Sequence, residues 1–147
     1  KRILILIFFC VSSCGYKPLY SNKNSNTYTF NEVELVGDKD INRRIISAMS
    51  IKENKQNYNF KKITLKNNKK IIATSRDTKG QPDSYKMTVS LNIMITNDGK
   101  TLKNRKIIEE FSYKNLDNKF DLSEYEINVK NNLTDRIIEE LIIYLNL

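Results

Sequence analysis

The carboxylates come in two adjacent pairs, Glu109-Glu110 and Glu139-Glu140. Adjacency is the wrong spacing for acid–base work. Neighbours on a strand point to opposite faces, and neighbours on a helix stand about 100° apart. Both pairs read as solvated surface charge. Asp77, Asp83 and Ser84 crowd a turn, where these residue types serve the backbone. The chain has no His, which removes Ser-His-Asp and Cys-His catalysis and the commonest metal ligand. It has no G-x-S-x-G and no metal-ligand spacing. Its four glycines are few for a phosphate cradle. The sequence leaves little room for an enzyme. No catalytic residue, no metal and no dissociable cofactor is expected.

Binding chemistry has more support. Lys86, Thr88, Ser90 and Asn92 alternate with apolar residues, so they share one face of a strand. They would form a flat, hydrogen-bonding, mildly basic surface, with Arg76, Lys79, Arg105 and Lys106 as candidate borders. Arg grips a phosphate with two parallel hydrogen bonds and Lys acts as a point charge. The same pattern also fits a plain solvated sheet face. The formal charge of +8 suggests an anionic partner. Yet Lys, Asn and Ile are abundant together, as AT-rich coding would also produce, so charge alone does not choose. A nucleic-acid partner is not expected, because the N-terminus carries an export pattern.

That pattern centres on a thiol. Lys1 and Arg2 precede an unbroken apolar run over 3–9, and Val11-Ser12-Ser13 supplies small residues before Cys14. This is the layout of a secretory signal. The run is much shorter than the ~20 residues that span a bilayer. Val-Ser-Ser-Cys resembles the bacterial lipobox, which implies cleavage after Ser13 and acylation of Cys14. A diacylglycerol on sulfur and an N-acyl chain are expected, and each buried CH2 would contribute ~0.8 kcal/mol to anchoring. Cys10 is a poor alternative, since Phe9 precedes it. The expected organisation is a signal peptide over 1–13, a lipidated N-terminus and linker over 14–26, and one domain over 27–147. Gly15, rather than an acidic residue, follows the cysteine, which resembles the sorting pattern for the outer membrane.

The domain must place the basic residues on its elements. Residues 27–36 alternate as a strand with an irregularity near Asn31. Asp38 or Asp40 would cap a helix from Ile41 to about Lys52, with Ile41, Ile45, Ala48 and Met49 on one face. Two weaker strands are expected over 60–65 and 70–77, either with Asn67-Asn68 as a turn between them or with the first of them a plain loop. Residues 79–83, KGQPD, break the chain. The clearest strand runs over 85–96, and Asn97-Asp98-Gly99 signals a hairpin into a strand carrying Ile107, Ile108, Phe111 and Tyr113. A last helix carries Leu122, Tyr125, Val129, Leu133, Ile137, Leu141 and Leu145, capped through Asp121–Glu124 or Ser123–Glu126. Its apolar stripe needs a surface to lie on. The order predicts an α+β two-layer sandwich: a mixed sheet of about four strands with two helices packed on one face.

Several motifs, taken in order, resemble the LPS-assembly lipoprotein LptE family. CGYKPLY follows the lipobox; Gly80-Gln81 precedes Tyr85-Lys86-Met87; Phe111 and Tyr113 end the next strand; and Asp135-Arg136 leads into IIEEL over 137–141. The resemblance covers nearly all of the chain after Cys14. It implies a non-enzymatic outer-membrane lipoprotein, facing the periplasm and held in the membrane by its lipid. Its implied partners are the LptD β-barrel, which it would plug and help assemble, and lipopolysaccharide. The residues expected to contact the anionic lipid are Lys79 and Lys119, with Lys86 and Arg76 beside them. The competing reading is another periplasm-facing lipoprotein, an adaptor or secretin pilot, that binds no lipopolysaccharide.

Overall fold

The computed structural model describes residues 27–56 and 61–146. The signal-like segment, Cys14, the linker over 21–26 and Phe60 lie outside the described residues. The elements run in the order β1 (Thr29–Phe30), β2 (Glu32–Val36), α1 (Lys39–Met49), β3 (Lys52–Glu53), β4 (Lys61–Arg76), β5 (Pro82–Asn97), β6 (Lys100–Lys114) and α2 (Lys119–Asn146). Four of the strands form one mixed sheet in the order β2-β4-β5-β6. β2 runs parallel to β4, while β4–β5 and β5–β6 are antiparallel. β1 and β3 make a separate two-stranded parallel ribbon.

Period-two alternation puts Met87, Val89, Leu91, Ile93 and Ile95 on one face of β5, all buried. Register brings Ile63 opposite Ile95 and Leu65 opposite Ile93 from β4, and Ile107 opposite Leu91 from β6. α1 covers this face with Ile41, Ile45 and Met49, and α2 covers it with Val129, Leu133, Ile137, Ile138 and Leu141. The helices lie against each other as well as against the sheet. Burying each such side chain contributes about 1.5–3 kcal/mol, and this single layer is where the domain's stability resides. The expected two-layer α+β sandwich, with both helices on one face, is the observed fold.

The turn chemistry is legible. Asp98 and Gly99 take positive φ values of 47° and 77°, the two-residue geometry that matches strand twist in a hairpin. Asp38 caps α1, accepting from the Asp40 and Ile41 amides at 2.9 and 3.2 Å. Asp38, not Asp40, is therefore the cap.

Four details differ from expectation. The stretch read as two strands with an Asn67-Asn68 turn is one strand of 16 residues. Asn67 is buried, and its side chain does the work of a core polar bridge. It accepts from the Asp38 amide (2.9 Å) and donates to the Asp38 carbonyl (3.1 Å) and to Asn42 Oδ1 (2.8 Å). A satisfied Asn can sit inside a sheet. α1 stops at Met49, because Ser50 adopts the left-handed conformation. α2 begins earlier than either proposed capping box. Asn118 accepts from the Phe120 amide at 2.9 Å, and Glu126 is taken instead by the Tyr113 hydroxyl, which donates to it at 2.7 Å. The irregularity near Asn31 is a break that sends β1 and β2 to different sheets.

Candidate functional site: a basic hairpin end and an uncovered sheet face

The helices leave the opposite face of the sheet uncovered. Lys86, Thr88, Ser90 and Asn92 lie there on β5, as the alternation requires. Lys106 stands opposite Asn92 on β6, and Lys66 stands opposite Asn92 on β4, so Lys66, Asn92 and Lys106 form one cross-strand row. Lys66 was not anticipated. Its signal was its phase relative to Ile63 and Leu65, which was obscured when residues 60–77 were divided in two. Arg105 does not join this face. It pairs with Ile93 in register and turns toward α2, 3.4 Å from Glu140 and over the Tyr144 ring.

Much of the charge on the uncovered face is already matched. Lys62 lies 2.8 Å from Glu32 and 2.9 Å from Glu34. The hydrogen bond from Lys62, then that from Thr64, holds the Glu34 carboxyl below its ordinary range, and Glu32 and Glu34 raise the Lys62 ammonium. Lys86 lies 3.2 Å from Glu110. Thr88 first, and then Lys86, hold the Glu110 carboxyl low by hydrogen bonding. Lys86 is therefore engaged within the sheet.

The other predicted contact residues gather at one end of the molecule. Lys79 sits in the turn between β4 and β5. Asp77 shapes this turn by accepting from the Lys79 and Gln81 amides at 2.9 and 2.8 Å. Arg76 donates to the Gly80 carbonyl at 2.8 Å and so braces the same turn. Lys119, the first residue of α2, is distant in sequence but belongs to the same end. Asn115, in the lead into α2, donates from its backbone to the Asp83 carbonyl (2.7 Å) and from its side chain to the Pro82 carbonyl (2.8 Å). Lys79 and Lys119 are exposed and make no ion pair among the described residues. Phe120, 74% exposed, and Leu116 lie near Lys119 along the chain and are exposed at the same end. Sequence patterning missed these two, because a solitary apolar residue at a helix start carries no period. Cationic and apolar groups side by side suit an amphiphile with an anionic head. Lys86 lies two residues along β5 from Ser84, which pairs with Lys114 at this end, while Lys66 lies farther along the sheet.

The IIEEL region has a structural use. Asp135 accepts two hydrogen bonds from Arg44, at 2.7 Å from each of Nε and Nη2, which ties α2 to α1. Arg136 approaches Glu109 at 3.7 Å and Glu140 approaches Arg105, which ties α2 to β6. No group of three or more metal-ligating side chains occurs among the described residues. No described helix is long and apolar enough to cross a membrane.

No protein-family profile matches the chain, and no curated protein sequence matches it. Solved structures do. The chain is similar to the rare lipoprotein B from Shewanella oneidensis, with a TM-score of 0.55 at 17% identity, over 78% of this chain and 96% of that one. It is similar to a minor lipoprotein from Acinetobacter baumannii, with a TM-score of 0.59 at 9% identity, over 78% and 87% of the two chains. It is also similar to the uncharacterized lipoprotein B from Nitrosomonas europaea, with a TM-score of 0.57 at 11% identity, over 78% and 81%. At such identities the likeness is one of fold.

Proposed function

We propose that the chain is a non-enzymatic, lipid-anchored outer-membrane lipoprotein of the LptE kind, which seats in the LptD β-barrel and contacts lipopolysaccharide through its basic hairpin end. Acylation at Cys14 supplies the anchor. The observation that carries the lipid-binding part is the convergence at one end. Lys79 and Lys119 come from separate segments that the Asn115 bonds to Pro82 and Asp83 bring to one end, both are exposed and unpaired among the described residues, and Phe120 and Leu116, near Lys119 along the chain, are exposed too. An anionic lipid meets charge and apolar surface together there. The lipobox-like Val-Ser-Ser-Cys and a fold similar to several bacterial lipoproteins support the rest. A plug in a wet barrel lumen needs a polar exterior, and the uncovered, hydrogen-bonding sheet face suits that role.

The test is lipopolysaccharide binding by Lys79→Glu plus Lys119→Glu. A Lys near an anionic surface contributes ~1 kcal/mol, and 1.4 kcal/mol is tenfold. Affinity should fall at least about thirtyfold, with the unfolding midpoint unchanged because both side chains are exposed. Unchanged affinity would favour an adaptor or secretin pilot that binds no lipopolysaccharide.

A further inference from the structure

β6 is the last strand of the sheet. It has 15 residues, about 50 Å at ~3.4 Å per residue, and among the described residues only β5 pairs with it. Its outer row of backbone donors and acceptors is a template for another strand. Natural edges of this length are commonly protected by charge, and β6 does carry charge, but sorted rather than scattered. Lys100, Lys103, Arg105 and Lys106 occupy its first half, Glu109 and Glu110 follow Ile107-Ile108, and Lys114 closes the strand beyond them, opposite Leu102 when two copies meet at Ile108. Around the centre of the strand, basic residues on one side and acidic ones on the other complement each other when a second copy is turned antiparallel.

We propose that β6 pairs with β6 of a second copy, antiparallel about Ile108, to give a continuous eight-stranded sheet. In this register Ile108 faces its own copy, and Lys106 faces Glu110 of the second copy twice over. Both contacts lie on the uncovered face, because residues of equal parity share a face. Ile108 is 50% exposed in the single chain. Lys106 makes no ion pair among the described residues, while Glu110, which accepts from Lys86 on one oxygen and from Thr88 on the other, is still 47% exposed. On the helix side, Arg105 comes opposite Phe111 of the second copy. Phe111 is 42% exposed in the single chain and borders a cavity of about 340 Å³ between β6 and α2, lined also by Tyr125, Val129 and Leu133. Pairing would close that cavity from its open side. The proposal concerns the chain while no other protein covers β6, and it does not rest on the barrel reading.

The experiment uses the full chain with Cys10→Ser and Cys14→Ser, released from detergent micelles for native mass spectrometry. The unmodified edge is expected to give dimers. Lys106→Glu places carboxylates opposite each other, and Glu110→Lys places ammonium groups opposite each other, so each variant alone should be monomeric. An equal mixture of the two restores both ion pairs and should give the mixed dimer. Ile108→Cys should form an interchain disulfide on mild oxidation, whereas Ile72→Cys, on the half of β4 that pairs with β5 but not with β2, should not. A monomeric parent chain overturns the proposal and leaves the edge to a strand of another protein. Dimers that survive Lys106→Glu, or a mixture that stays monomeric, overturn it as well.

Discussion

Gly37 is the residue on which the entry into the first helix turns. Its φ is +107°, and a Cβ placed there would lie 2.1 Å from the Asn67 carbonyl oxygen. Only the missing side chain lets the loop pass so close to β4. Gly37→Ala should destabilise the domain by at least ~1–3 kcal/mol, the cost of a backbone strain that nothing relieves, read as a lower urea midpoint. An unchanged midpoint would mean the loop can move aside. Next to it, Asp38 is pushed upward by burial, but the Ile41 and Asp40 amides and the charges of Lys130 and Lys69 outweigh this and hold it below 3.8. The folded form thus binds the proton less readily than the unfolded form. That contribution to stability is complete above about pH 4 and fades as pH falls through the lowered folded value. Asp38→Asn keeps a capping oxygen and should flatten this part of the acid limb in unfolding curves recorded from pH 6 down to pH 2. An acid limb identical to that of the parent chain would assign the effect to other carboxylates. Tyr113 is shifted the opposite way. Burial, then its bond to Glu126, raises the phenol, so it stays a donor throughout the neutral range.

The elements rest on alternation and on one amphipathic stripe, and both were legible. β5 is nearly pure period two, and of the apolar set that begins at Tyr85 the residues Met87, Val89, Leu91, Ile93 and Ile95 are buried, with Tyr85 half-buried at the strand's start. The stripe of α2 is buried over Leu122, Val129, Leu133, Ile137 and Leu141. Tyr125, read onto the same stripe, is 40% exposed, because it lies at the sheet's edge, where only β6 borders it. β4 was harder. Asn67 and Asn68 are turn residues by type, and the interactions that let Asn67 stay in a strand come from Asp38 and Asn42, about 25–30 residues away. No local pattern encodes such partners. A turn at Asn67-Asn68 would leave Lys66 outside the strand, so its row with Asn92 and Lys106 is visible only once β4 is seen to be continuous. α2 should also be sensitive to truncation on its core face and not on its outer face. Ile137 is fully buried, so Ile137→Ala should cost about 2–5 kcal/mol. Ile143→Ala, at 60% exposure, should change stability by less than ~0.5 kcal/mol. Equal losses at the two positions would contradict the observed orientation of α2.

At the scale of the whole molecule, one face of the sheet carries the helices and the core, and the other is left polar and partly ion-paired. The β4–β5 turn brings Lys79, and the lead into α2 brings Leu116, Lys119 and Phe120, to the same end. The basic residues were legible as types, but only topology could bring residue 79 and residue 119 to the same end, through the Asn115 bonds to Pro82 and Asp83. The proposed anchor at Cys14 would join the domain to a membrane from its N-terminus, leaving the sheet and the basic end available to a partner and a lipid. The proposed barrel partnership is tested most directly by recovering the acylated chain from detergent-solubilised outer membrane. A large β-barrel protein should co-purify with it in stoichiometric amount. Recovery of the acylated chain with no barrel protein attached would contradict it.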